Sequence, residues 1–160
     1  MTREQFIQTV KCEQRGLRRF LLTLCRGNRM TADDIAQETL VKAYLALDKY
    51  DERSKAKIWL MKIAYNTFLN HRIQATRYHY EDIEEADSLR GEDAADNTFR
   101  FQQLEQAMAQ LPETERTTLV LHYFEGYKVE EIAQITDSSE AAVKKRLQRG
   151  REELKRRIEK

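Results

Sequence analysis

Proline and glycine are scarce, with one Pro and five Gly in 160 residues. Sheet sandwiches and turn-rich barrels need both at their chain reversals, so an all-β fold is excluded. Cysteine is nearly absent. Cys12 and Cys25 are too few and too isolated for a disulfide framework or a zinc site. No apolar run approaches the roughly 20 residues of a membrane span. Phe20-Leu21-Leu22 is broken quickly, and Met1-Thr2-Arg3-Glu4-Gln5 carries no apolar targeting core. These absences favour the cytoplasm. What remains is rich in Glu, Gln, Arg, Lys, Leu and Ala, which are strong helix formers. The expected fold class is all-α.

The net charge of +1 hides a strong pattern. Residues 1–80 hold 15 Lys/Arg against 8 Asp/Glu, and residues 81–98 hold one Arg against 8 acids. Residues 99–142 carry 3 basic and 8 acidic side chains, and residues 143–160 carry 9 and 3. Two basic blocks therefore flank two acidic ones.

Periodicity predicts a first helix over 2–25, stopped by Gly27-Asn28. A second runs from an N-cap at Thr31 to about Leu47. A third, capped by Ser54, runs to about Arg77. Residues 79–98 combine low apolar content with like charge and read as a mobile linker. They separate two helical modules, 1–78 and 99–160. In the second module Pro112 marks the first position of a helix carrying Leu119, Val120, Tyr123 and Phe124 and ending at Gly126. A short helix with Ile132 and Ala133 follows, then the turn Thr136-Asp137-Ser138. Asp137 is the expected cap of the last helix.

A short helix, a tight turn and a basic helix make a helix-turn-helix pattern. At 100° per residue, Val143, Leu147, Gly150, Leu154 and Ile158 share one side of the last helix. Ala141, Lys144, Lys145, Gln148 and Arg149 share the other. That face offers cations for phosphates and donors for base edges. On the second helix Ala36, Leu40, Ala43, Tyr44 and Leu47 form a core stripe. Asp34, Gln37, Glu38, Val41 and Leu45 form a second stripe, where aliphatics beside carboxylates suit a protein contact. The third helix and the loop before it interleave Arg53, Lys55, Lys57, Lys62, Arg72 and Arg77 with Tyr50, Trp59, Tyr65 and Phe68. Such a set suits single-stranded nucleic acid, although aromatics at helical spacing also serve as core.

Taken together, the chain resembles the extracytoplasmic-function (group 4) sigma factors of bacterial RNA polymerase, in the sigma-70 family. Asp33-Asp34-Ile35-Ala36-Gln37-Glu38-Thr39-Leu40-Val41-Lys42-Ala43-Tyr44 is similar to the family's polymerase-binding signature. Trp59-Leu60-Met61-Lys62-Ile63-Ala64-Tyr65-Asn66-Thr67 resembles its promoter-melting segment. Leu111-Pro112-Glu113, Glu130-Glu131-Ile132-Ala133 and Ala142-Val143-Lys144-Lys145-Arg146-Leu147-Gln148-Arg149-Gly150-Arg151 resemble its C-terminal promoter reader. The motifs stand in the family's order over almost the whole chain.

The resemblance implies a sigma-2 domain over 1–78, an acidic flexible linker over 79–98 and a sigma-4 domain over 99–160. It implies contact with the polymerase core through Asp33, Asp34, Ile35, Gln37, Glu38, Val41 and Lys42 on the beta-prime subunit, and a further contact of sigma-4 with the beta flap. It places Arg53, Lys55, Lys57, Trp59, Lys62, Asn66, Asn70 and Arg72 at the minus-10 element of promoter DNA. It places Ser138, Ser139, Ala141, Lys144, Lys145, Gln148 and Arg149 at the minus-35 element. An anti-sigma factor is an expected further partner. The linker's acidity suits a cationic channel built for RNA.

A helix-turn-helix regulator acting without polymerase is the alternative, but it leaves Asp33–Tyr44 without a role. A mimic that only titrates an anti-sigma factor should lack the basic face from Lys144 to Arg149. No enzyme chemistry is expected. His71, His79 and His122 show no metal spacing with the cysteines, and no glycine-rich phosphate loop occurs, so neither metal nor cofactor is expected. If the two readers are loosely tethered, neither binds promoter DNA well until polymerase fixes their separation.

Overall fold

The computed structural model describes residues 1–77 and 98–159, with only the backbone course for 75–77 and 98–101. The described residues are helical throughout their regular elements. The linker expected over 79–98 lies outside them, apart from Thr98 at the start of a helix.

Helix α1 spans Arg3–Leu24 and opens on a reciprocal cap. The Gln5 amide N–H donates to Thr2 Oγ1 at 3.0 Å, and the Thr2 N–H donates to Gln5 Oε1 at 2.9 Å. Arg26 and Gly27 both take positive φ (56° and 85°), which ends the helix and turns the chain sharply. That turn brings Asn28 to the next N-terminus. Helix α2 (Arg29–Leu45) is therefore capped by Asn28, whose Oδ1 accepts from the Thr31 N–H at 3.1 Å. Thr31 is not the cap, and the helix starts earlier than its sequence suggests. A 3-10 turn over Leu47–Lys49 follows. Helix α3 spans Ala56–Arg77. Ser54 does not play the expected capping part, because its hydroxyl donates back to the Asp51 carbonyl at 3.1 Å.

Helix α4 spans Thr98–Gln110 and α5 Glu113–Leu119, with Pro112 at the N-cap rather than the first helical position. The single helix expected up to Gly126 is broken. Residues Val120–Phe124 widen into a π-helical segment, and Gly126 then reverses the chain at φ 78°. The extra residue turns both Val120 and Leu121 fully into the core and leaves Tyr123 and Phe124 about half exposed. Helix α6 (Val129–Thr136) and α7 (Glu140–Ile158) form the helix-turn-helix. Asp137 does not cap α7. It takes the left-handed conformation at φ 54° and ends α6, while Ser139 Oγ accepts from the Ala142 N–H at 3.0 Å. A short polar side chain tolerates that backbone region better than most.

Of the stripe expected inward on α7, Val143, Leu147 and Gly150 are buried, Leu154 is half-buried and Ile158 is 40% exposed. Gly150 is a close approach. A Cβ there would lie 2.8 Å from Leu119 Cδ1 and 3.0 Å from its Cγ. Leu119 is itself buried and has nowhere to go. Gly150→Ala should therefore lower stability by about 1–2 kcal/mol, since overpacking outweighs the helix-propensity gain. Urea unfolding of the variant checks this.

In the described residues the two units pack against each other. One apolar cluster runs from Leu17, Phe20 and Leu24 of α1, through Ile58, Met61 and Tyr65 of α3, to Leu119, Val120, Ile132 and Ile135 of the second unit. Helix α3 lies on α6, and α1 touches α5 and the π segment. The two units share a core because each leaves part of its apolar stripe uncovered.

Candidate polymerase and nucleic-acid interfaces

The outer face of α2 carries the first candidate surface. Val41 is 57% and Leu45 75% exposed, and Tyr44, expected inward, is 43% exposed against Phe6. Asp34 and Gln37 are exposed beside them. Glu38 is tied down on both oxygens, by Lys42 Nζ at 3.1 Å and His71 Nε2 at 3.0 Å. Burial pushes its carboxyl up, but those two hydrogen bonds outweigh it and hold the group below the usual glutamate range. Asp33 pairs with Arg18 at 3.3 Å. Ile35 must be corrected as a contact residue. It is fully buried and supports this face from beneath.

The second candidate surface is α3 with its preceding loop. Lys62, Asn66 and Asn70 are exposed, and the two asparagines stand one turn apart. Trp59 is half-buried, packed edge-on against Tyr50 with centroids 5.1 Å apart. Arg53 folds back on Asp51 at 3.2 Å. The other cations face the second unit. Lys55 Nζ reaches Glu131 Oε2 at 3.0 Å, Lys57 lies 5.2 Å from the centre of the Tyr127 ring, and Arg72 pairs with Glu113. A cleft of about 640 Å³ opens between α3 and the helix-turn-helix, with Trp59 and Lys62 on one wall and Gln134 and Glu140 on the other.

The third surface is α7. Ala141, Lys144, Lys145, Gln148 and Arg149 are all exposed, as the helical projection requires. Lys144, Lys145 and Arg149 make no ion pair or hydrogen bond among the described residues. Arg146 and Arg151 are already engaged. Arg146 donates to Ser138 Oγ at 2.8 Å, and Arg151 donates to the Tyr123 hydroxyl at 3.1 Å. Ser138 Oγ is also 3.2 Å from Thr136 Oγ1, so Arg146 braces the turn. Ser139 is committed to its cap.

Sequence reasoning missed Arg19, Glu113, Glu125, Tyr127 and Glu131, which join the units. Arg19 grips Glu125 with two parallel bonds of 2.8 Å. The available signal was the acidic block 99–142 set against the basic block 1–80. Of the histidines, His71 bonds Glu38 and His122 Nδ1 bonds the Tyr127 carbonyl, while His79 lies outside the described residues. Cys12 is exposed and Cys25 is half-buried. Among the described residues no cluster of His, Cys, Asp and Glu could hold a metal, and no helix is long and apolar enough to cross a membrane.

Residues 9–78 match the family "Sigma-70 region 2", and residues 101–154 match "Sigma-70, region 4". The ECF RNA polymerase sigma factor SigW of Bacillus subtilis is 31% identical over 145 residues, covering 82% of this chain and 78% of SigW. This chain is an ECF RNA polymerase sigma factor. The ECF sigma-E factor of Haemophilus influenzae is similar at 32% identity over 145 residues, covering 82% of this chain and 77% of its own. The fold of this sigma factor is that of RpoE solved with the anti-sigma factor NepR from Bartonella quintana, at TM-score 0.80 and 23% identity over 98% of each chain. CnrH, solved with the cytosolic domain of CnrY, superposes at TM-score 0.72 and 21% identity over 99% of this chain and 90% of CnrH. The all-α fold, with sigma-2 and sigma-4 units in that order, is thus established.

Proposed function

We propose that this sigma factor binds the polymerase core through the outer face of α2, reads and opens the minus-10 element with α3, and reads the minus-35 element with α7. The single observation that carries this reading is the exposed pair Val41 and Leu45 beside Gln37. Exposed aliphatics grouped with polar side chains at helical spacing suit a protein partner, and no plain DNA-binding regulator needs them. Asp34, Gln37, Val41 and Leu45 make the contact with beta-prime, while Glu38 and Lys42 fix its shape. Asn66 and Asn70 present amide edges for unstacked bases, Trp59 offers a ring, and Lys62 supplies charge. The helix from Ser139 enters the major groove with Lys144, Lys145, Gln148 and Arg149 towards the DNA. The beta flap and an anti-sigma factor are further partners, and the cytoplasm is the place of action. The chain performs no chemistry itself. It positions promoter DNA for the enzyme that does.

Run-off transcription with purified core polymerase and a randomised promoter library tests this. Selective initiation is expected, with two conserved blocks in the recovered templates. Duplex binding without core and no transcripts would support a stand-alone regulator instead.

A further inference from the structure

Three of the five cations assigned above to the minus-10 element are engaged by the second unit, while Lys62 is exposed and Arg53 pairs within its own loop. Lys55 is held by Glu131, Lys57 by the Tyr127 ring and Arg72 by Glu113, all from the second unit. Arg19, outside that set, is held by Glu125. The asymmetry of exposure is informative. The Glu131, Glu125 and Glu113 side chains are 9%, 5% and 18% exposed, while their basic partners remain half exposed or more. Carboxylates rarely give up water to this degree unless they are paired. Glu131 serves two roles at once. Its Oε1 accepts from the Lys128 N–H at 2.9 Å and its Oε2 from Lys55. The Glu125 carboxylate lies close over Gly16 of α1, where a Cβ would stand 2.8 Å from Glu125 Oε1 and push the carboxylate aside.

We propose that the acidic side chains from α5 to α6 are a built-in substitute for promoter phosphates, which clasps cations beside the minus-10 reader, Lys55 and Arg72 among them, in the free protein while Lys62, Asn66 and Asn70 stay exposed. Carboxylates on guanidinium and ammonium groups reproduce the charge that DNA would bring. The proposal rests on the minus-10 assignment made above. It makes sigma-4 the first occupant of the sigma-2 DNA face.

The closed form also carries a liability. Arg116 is 2% exposed beside Cys25 and Arg26, where the first unit meets the second. Among the described residues its one hydrogen-bond partner is the Leu111 carbonyl, at 2.8 Å, and its Nε is unsatisfied. It has no ion pair among the described residues. Burial, with Arg26 adding to it, pulls its pKa down to about 10. A buried cation with no direct ion pair among the described residues, eased only by the nearby Glu113 charge, opposes the clasp. A competing partner can then open it.

Cys25 reports on that seam. In a Cys12→Ser background it is the sole thiol, and burial pushes it up to about 12. Two openers act differently. Glu113→Gln/Glu125→Gln/Glu131→Gln removes the charges, and Gly16→Leu wedges α1 away from Glu125 without changing charge. Leu is also a better helix former than Gly, so α1 should keep its structure, which circular dichroism checks. Expected for both openers is Cys25 modification by Ellman's reagent at least about tenfold faster than in the parent. Expected too is about tenfold tighter binding of the free chain to a fluorescent single-stranded DNA oligonucleotide, with a steeper salt dependence. A charge-matched control, Glu4→Gln/Asp48→Asn/Glu159→Gln at exposed positions, should do neither. Unchanged thiol rates in both folded openers, or faster thiols without tighter DNA binding, would overturn the proposal. An equal gain in the control would overturn it as well. Run-off transcription reads the promoter-factor assignment separately. Openers that behave as expected while the parent fails to start transcripts with core would still support the clasp and sink only that assignment.

Discussion

Gln37→Ala combined with Val41→Asp should abolish copurification with core polymerase and reduce run-off transcription by more than about 100-fold. The fold should survive. Gln37 and Val41 are exposed on α2, and neither bonds another described residue, so their replacement costs little stability. The binding cost is larger, because Asp at position 41 sets an unpaired carboxylate in the centre of an apolar contact. Asp34 nearby adds like charge. The core stripe that holds the surface, Ile35, Ala36 and Ala43, is untouched and fully buried. Circular dichroism and urea unfolding should match the parent. Retained association with core would show that the partner surface lies elsewhere. A double variant that unfolds is guarded against by Leu45→Asp, three-quarters exposed at the end of the same face and expected to act in the same direction.

The helices were legible because their signals are local. The apolar spacing of α7 and the scarcity of breakers each act within a turn or two. The termini were less legible where neighbours compete to cap. Asn28 displaced Thr31 because the left-handed pair Arg26 and Gly27 redirects the chain one turn early. Ser139 displaced Asp137 because Asp137 was needed to end α6. The π segment at Val120–Phe124 had no signal of its own, since a single added residue changes no periodicity over five positions. The α2 and α7 faces could be projected from sequence, because exposure on a helix follows from its buried stripe. Their pairing could not. That Arg146 is spent on Ser138 while Arg149 is free depends on which side chain the turn brings within reach. The docking of the two units was the largest omission. Opposite charge blocks are visible in the chain, but which glutamate meets which cation is a long-range matter, and apolar stripes do not announce their partner.

Lys145→Ala with Arg149→Ala should lower use of a given promoter by about 100-fold while leaving association with core intact. The cations of α7 differ in what already holds them. Arg146 braces the turn through Ser138, Arg151 bonds Tyr123, and Arg156 and Arg157 pair with Glu153. Lys145 and Arg149 are exposed, one turn apart, and opposite the buried Val143 and Leu147. Truncating them removes no internal contact, so stability should change little. If they contact phosphates, the slope of log affinity against log salt should fall by about two. If Arg149 reads a base edge, the loss should instead concentrate on promoters bearing one base at that position. Arg146→Ala provides the contrast. Its removal frees the turn, so it should weaken every minus-35 sequence alike and also lower the unfolding midpoint. Equal loss of core association in the Lys145/Arg149 variant would move these residues from the DNA face to the polymerase face. A salt slope unchanged by both substitutions, with promoter use intact, would remove α7 from the DNA altogether.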